Sequence, residues 1–208
     1  TFLLQHAPDD GSVLIDDVSS MYGVLNVCGP RSRAVLQSVS SVDLSGDSFG
    51  FMTAQRIDVG WAPALALRAG YVGELGWELH LPMEYLRDAY DKVWAAGEQF
   101  GLRNVGYRAI ETLRLEKHYL AWAGDLRADN NPYEAGLGFA VRPDKPELLA
   151  GAALRRIREE GIGQRLCWFT TDARTLLGSG AMVVHPESGT LAGVRSAGHG
   201  HTIGRQIF

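Results

Sequence analysis

Between Gly76 and Gly101 the hydrophobic pattern changes period once, and sharply. Trp77, Leu79 and Leu81 alternate with Glu78 and His80, the period of a half-buried β-strand. Directly afterwards Pro82 and Glu84 open a helix over 83–100, with Tyr85, Leu86, Ala89, Tyr90, Val93 and Trp94 at helical spacing, and Gly101 is its expected stop. Strand and helix therefore have to share this chain.

The rest of the sequence reads in the same terms. Tyr22 to Val27 is a strand, partly β-branched, broken by Gly29-Pro30, and Pro30 suits the first turn of a helix through Gln37. A polar loop over 38–50 follows, then strands at Ala54 to Val59 and Ala64 to Arg68. A second long helix is expected from Tyr107 to Tyr119, with Ile110, Leu113, Leu115 and Tyr119 lining one side. Asp125 to Tyr133 is polar and holds Pro132, so it reads as a loop. After Lys145-Pro146 a short helix over 148–160 leads into Gly-separated strand candidates at 165–171, 181–185 and 190–195. This change of texture places a domain boundary near 142–148: a first domain over 1–142 and a strand-rich second one over 143–208.

Composition excludes several classes. Of 208 residues 46% are hydrophobic and 21% charged, so the interior is not disordered. The net charge is −4 and no basic stripe occurs; Arg155, Arg156 and Arg158 are offset by Glu159 and Glu160, so nucleic acid is not an expected partner. No apolar run approaches the roughly 20 residues a membrane helix needs, and no membrane partner is expected. Cys28 and Cys167 lie in apolar surroundings and read as buried free thiols of a cytoplasmic protein rather than a disulfide. The chain begins without Met and ends within what reads as a strand, so truncation at both ends is expected.

Two stretches could carry chemistry. In Tyr71-Val72-Gly73-Glu74-Leu75-Gly76-Trp77-Glu78, two glycines allow positive φ or close backbone approach. A carboxylate at Glu78 could accept two parallel hydrogen bonds from a donor–donor edge such as an aminopyrimidine or pterin ring; the bland alternative is a hairpin with an exposed glutamate. In Glu111-Thr112-Leu113-Arg114-Leu115-Glu116-Lys117 the charges suit a solvated helix surface. The alternative sets Arg114 against a buried carboxylate or an anionic ligand tail. His185 and His199-Gly200-His201 lack partners at metal-site spacing, so no metal is expected. There is no Gly-x-Ser-x-Gly elbow, phosphate-binding loop or dinucleotide fingerprint.

Taken in order, Gly29-Pro30-Arg31-Ser32-Arg33, Tyr71 to Glu78, Leu113-Arg114-Leu115-Glu116-Lys117, Trp122 with Asp125-Leu126, Pro132-x-Glu134-Ala135-Gly136-Leu137 and Gly193-x-x-Ser196-x-Gly198 resemble the glycine cleavage T-protein (aminomethyltransferase) family. The Gly-Glu-Leu-Gly-Trp-Glu turn, the Glu116-Lys117 pair and Trp122 look most like the folate-binding C-terminal half of dimethylglycine and sarcosine dehydrogenases.

The resemblance implies an α+β fold: a folate-binding domain, partial here, then the start of a small β-barrel. It implies tetrahydrofolate as cofactor, with Glu78 on the pterin edge, Tyr71 lining the pocket, Arg114 orienting Glu78 or meeting folate's anionic side, and Trp122 as an aromatic wall. FAD is expected only in a separate domain of a parent chain, and a small methylated amine as substrate. The family's catalytic Asp lies upstream of its Gly-Pro-Arg-Ser motif in a segment this chain does not match; neither Asp16 nor Asp17 is assigned that role, and no catalytic residue is expected. The fragment is expected to be inactive alone, in the cytoplasm or, in a eukaryote, the mitochondrial matrix. The alternatives are a T-protein-like aminomethyltransferase, a non-catalytic scaffold of the same fold, or another folate-dependent demethylase.

Overall fold

A computed structural model describes residues 2–172 and 177–208. The chain divides into two compact units, Thr1–Asn104 and Val105–Phe208.

In the first unit a short helix α1 (Phe2–His6) buries nothing, and the chain stays largely exposed as far as β1 (Tyr22–Cys28). Helix α2 (Ser32–Gln37) follows, then the hairpin β2 (Ala54–Val59) and β3 (Ala62–Leu67), then β4 (Gly76–Pro82) and α3 (Met83–Gly97) with a 3₁₀ turn at Glu98–Phe100. The four strands form one antiparallel sheet in the order β1-β4-β3-β2. Strands paired only antiparallel, with helices set beside them, make this an α+β unit.

Alternation assigns the two faces. Register aligns Leu25 with Leu79 and Ala66, and Val27 with Trp77; these residues, with Ala62, Ala64, Ile57 and Val59, turn to one face under α2 and α3. Trp77 is fully buried, edge-on to Phe49, with the guanidinium groups of Arg33 and Arg68 5.7 and 5.9 Å from its ring centre. Gly23 in β1 lets Leu86 of α3 come close, since a Cβ there would lie 2.4 Å from its methyl carbon.

Helix α3 buries Ala89, Val93 and Gly97, whereas Tyr85 and Trp94 remain outside. The apolar stripe is thus narrower than the sequence spacing predicts, because aromatic residues at its margins stack outside the core, Tyr90 on Trp94. The stop at Gly101 is the expected one. Its φ is +73°, its N–H reaches Glu98 O and that of Leu102 reaches Gly97 O, the paired bonds of a Schellman cap.

In the second unit, α4 (Tyr107–Glu116) ends three residues before the expected Tyr119. His118 takes φ +56°, and the N–H groups of His118 and Tyr119 return to Leu115 O and Arg114 O. This too is a Schellman cap, built without glycine and therefore invisible to a search for one. Helix α5 (Gly151–Glu160) follows. Strands β5 (Thr170–Thr171), β8 (Gly198–Gly200) and β9 (Arg205–Ile207) form a sheet in the order β5-β9-β8, and β6 (Met182–Val184) pairs with β7 (Leu191–Gly193). The strand expected over 165–171 is only its last two residues. Cys167 is exposed and Cys28 only half-buried, so the reading of both as buried thiols is corrected; both are free.

Candidate functional site

Two of the motifs are held together by backbone. Gly29 N–H donates to Leu75 O at 2.8 Å, and the buried Ser32 hydroxyl lies 2.7 Å from Gly29 O and 3.1 Å from Leu75 O. The Gly-Pro-Arg-Ser turn therefore clasps the turn that precedes β4. The two glycines of that turn do different jobs. Gly73 has φ +70°, which favours glycine. Gly76 faces Cys28 directly across the ladder, and a Cβ there would sit 3.0 Å from both Cys28 Cβ and Val27 O.

With Gly76 seated, Trp77 enters the core and Glu78 must take the opposite face. Glu78 lies between Asn26 of β1 and Leu67 of β3; in the next row His80 lies between Val24 and Leu65. Within the first unit no described helix covers this face as α2 and α3 cover the other, and the Glu78 and His80 side chains keep 33% and 34% of their surface exposed. Among the described residues the Glu78 carboxylate accepts no hydrogen bond; its nearest possible cation is His80 Nε2, at 3.9 Å from Oε2. That ring nitrogen is itself buried without a hydrogen-bond partner. Neither oxygen of Glu78 is engaged in a hydrogen bond among the described residues, and apolar Leu67 and Leu65 lie beside it on β3. Tyr71 is half-buried on the turn before β4. Cys28, at the end of β1, has its thiol pushed up by burial and by the Glu74 carboxylate.

In the second unit Arg114 and Trp122 are brought together by one network. Arg114 is 1% exposed. Its Nε and Nη2 donate to Glu111 Oε2, Nη2 also to Ser196 Oγ at 2.9 Å, and Nη1 to Tyr119 O at 3.0 Å and to the Asp125 carboxylate. All five guanidinium donors are used. The solvated helix surface these charges suited is corrected for Arg114: the structure buries it against a carboxylate, Asp125, 2% exposed, which also accepts the Ala121 N–H at 2.9 Å. Burial works against the charged arginine, but the hydrogen bond to Glu111 and the Asp125 charge outweigh it and hold its pKa above the ordinary value. With every donor engaged, Arg114 is a tie within its unit and has none left for an anionic ligand.

The network fixes the loop that displays Trp122. Asp125 and Leu126 N–H groups return to Ala121 O, Ala123 N–H reaches Leu126 O, and Ala123 takes φ +65°. Trp122 is left 76% exposed, an open aromatic surface rather than the wall of a closed cavity within its own unit. Arg195 braces the same loop, from Asp125 O at 2.7 Å and Asn130 Oδ1 at 2.6 Å. The late motif finds its use here: Ser196 meets Arg114, and Gly198 leaves room for Leu115, whose methyl carbon would lie 2.9 Å from a Cβ. Pro132-x-Glu134 belongs to a reciprocal cap, in which Asn131 Oδ1 accepts from Glu134 N–H and Glu134 Oε2 from Asn131 N–H.

Sequence reasoning placed no role on Asp125, Ser196 or His80. The strict alternation of β4 did put His80 on the face of Glu78; nothing local announced the other two. The Glu111 contact was legible as an i−3 neighbour. Among the described residues no three His, Cys, Asp or Glu side chains are placed to hold a metal ion, and no helix is long and apolar enough to cross a membrane.

Residues 1–145 match the family described as GCVT N-terminal domain. The chain is 39% identical over 159 residues to mouse mitochondrial dimethylglycine dehydrogenase, covering 76% of this chain and 18% of the relative. Against human mitochondrial sarcosine dehydrogenase it is 38% identical over 192 residues, 92% of this chain and 21% of the relative. The crystal structure of the glycine cleavage system aminomethyltransferase T from Bartonella henselae superposes with a TM-score of 0.76 at 25% identity, covering 89% of this chain and 50% of that one. The chain thus spans about a fifth of the length of the two dehydrogenases.

Proposed function

Because the chain belongs to the GCVT N-terminal domain family, with dimethylglycine and sarcosine dehydrogenases among its relatives, we propose that it is the tetrahydrofolate-binding portion of a one-carbon transfer protein of the flavin-dependent dehydrogenase type. The observation that carries the reading is the Glu78 carboxylate: without a hydrogen bond among the described residues, a third exposed, and held on the face of β4 opposite the core by the Gly76 register.

A carboxylate with both oxygens open suits the amino and ring N–H donors of a pterin, in a charge-assisted and directional pair. Tetrahydrofolate, when bound, supplies the nucleophilic nitrogen that accepts the one-carbon unit. The chain's own residues orient. Glu78 fixes the ring edge, Leu65 and Leu67 offer apolar surface beside it, and Tyr71 on the preceding turn lines the pocket. Trp122 offers its exposed indole as an aromatic surface, and Arg114 acts indirectly by holding the loop that carries it. The methylated amine and the flavin belong to a parent protein's other parts, in the cytoplasm or mitochondrial matrix. The first part of the chain, to about residue 142, supplies the partial folate-binding domain, and the strands after it begin a β-rich barrel.

The test is calorimetric titration of the 208-residue chain with tetrahydrofolate, beside a Glu78→Ala variant with unchanged circular dichroism. Binding is expected to be weak in the parent chain and lost in the variant. No heat from either would assign the chain to a scaffold of the same fold, and equal heats from both would take the ligand away from Glu78.

A further inference from the structure

The open face of the first sheet holds a second polar group that the folate reading does not use. His80 lies two residues from Glu78 on the same face of β4, and its Nε2 is buried without a hydrogen-bond partner. Glu78 Oε2 lies 3.9 Å away, beyond the roughly 3.2 Å of a good N–H···O bond but on the same side of the same strand. The residues directly across from the imidazole offer no acceptor, and Asn26, which shares this face opposite Glu78, makes no hydrogen bond to its Nε2. Across β1 is Val24, across β3 is Leu65, and beyond Leu65 on β2 stands the cation Arg56. A buried ring nitrogen with no partner is costly to keep, and here one side-chain rotation would give it an acceptor.

Resting on the proposed folate site, we infer that His80 is a positioning residue: its Nε2–H donates to Glu78 Oε2 and sets the plane of the carboxylate for the ligand. The two do not compete. An ionised carboxylate has about four lone-pair sites. A donor–donor edge takes one on each oxygen, which leaves a further site on Oε2 for His80. Glu78 alone can rotate about its terminal bond and present its oxygens at many angles to the sheet. Pinned by His80, it presents them at one, so less rotational freedom is lost when the ligand binds. This arrangement requires a proton on Nε2, the ring nitrogen that turns toward the carboxylate.

Two variants and one spectrum test it. His80→Leu keeps bulk and removes the donor; His80→Gln puts an amide N–H close to where Nε2 stood. Tetrahydrofolate affinity is expected to fall about five- to tenfold in His80→Leu and to return to within about twofold in His80→Gln, the loss being that of one hydrogen bond to a charged group. Melting temperature should be the same in both, and a merely structural histidine would not show rescue by glutamine. An affinity in His80→Leu within twofold of the parent, or His80→Gln as weak as His80→Leu, overturns the inference. Long-range ¹⁵N–¹H correlation of the imidazole needs no ligand. The Nε2–H tautomer is expected in the parent and should lose its dominance in Glu78→Ala; a dominant Nδ1–H form, or no response to Glu78→Ala, overturns the pairing. Unchanged folate binding in Glu78→Ala, or none in the parent chain, would instead sink the folate reading, and the tautomer spectrum would still decide whether His80 orients Glu78.

Discussion

Arg114→Met separates a structural tie from a ligand contact. The substitution keeps much of the volume and removes five hydrogen bonds at once. Glu111 keeps about a third of its side chain in solvent and can rehydrate, so its loss is small. Asp125, 3% exposed as a side chain, keeps only the Ala121 amide and becomes a buried carboxylate without a cation. Breaking a buried pair in this way costs about 3–5 kcal/mol. That is a large share of the 5–15 kcal/mol that holds a typical domain together.

The assay is urea denaturation followed by circular dichroism, with amide exchange at Ala121 as a local probe. Arg114→Met should bring the midpoint down sharply and speed exchange at Ala121. Arg114→Met with Asp125→Leu should recover much of the loss, because the uncompensated charge goes with the second change. A single variant that costs less than about 1 kcal/mol and leaves Ala121 exchange unchanged would refute the tie. A variant of full stability that loses tetrahydrofolate affinity would instead return Arg114 to the role of a ligand contact.

Other outcomes follow from single environments. Trp77→Ala should cost about 3–5 kcal/mol in thermal unfolding, and Trp77→Phe much less, since the indole N–H has no hydrogen-bond partner to lose. Glu116 is held below the ordinary carboxylate range chiefly by the Thr202 side chain, and the Thr202 N–H, 2.7 Å from Oε1, adds to it. A lowered carboxylate adds stability above its unfolded value that is lost as pH falls through the folded one, so stability should drop as pH falls below the ordinary glutamate range, and Glu116→Gln should flatten that drop. With 5,5′-dithiobis(2-nitrobenzoate) near pH 8, the exposed Cys167 should react first, and Cys28, its thiol pushed up by burial, should lag.

The elements legible in the sequence are those with an uninterrupted period. The strand read over Ala54 to Val59 is β2 to the residue, and the switch from alternation to helical spacing at Pro82 is the junction of β4 and α3. Missed features depend on non-local partners or on a residue doing another's work. His118 ends α4 in a conformation usually left to glycine, and Thr170–Thr171 is only as long as its pairing with β9. The site divides the same way. Glu78 was legible because alternation fixes its face. The setting of Arg114 was not, because Ser196 lies 82 residues away in sequence and only the fold brings it near. The exposure of Trp122 is likewise a consequence of hydrogen bonds to its loop and not of its own type.

The position of Glu78 depends most on a residue with no side chain. Alanine at Gly76 would put Cβ 3.0 Å from Cys28 Cβ and 3.0 Å from Val27 O, and both neighbours belong to the adjoining strand. Neither can rotate away, so β4 must shift from β1, at a cost of about 1–3 kcal/mol. Gly73→Ala has a similar total cost, about 1–2 kcal/mol for a left-handed residue at φ +70°, but pays it within the turn. The two variants should therefore match in stability and differ in where they loosen the structure. Gly76→Ala should speed exchange of the Gly29 amide, whose acceptor Leu75 O is one residue from the clash, and should weaken any ligand held by Glu78 two residues on. Gly73→Ala should spare the Gly29 amide. If Gly76→Ala leaves that amide and the unfolding midpoint as they were, the strand has room that the geometry denies, and the carboxylate is not held by its register.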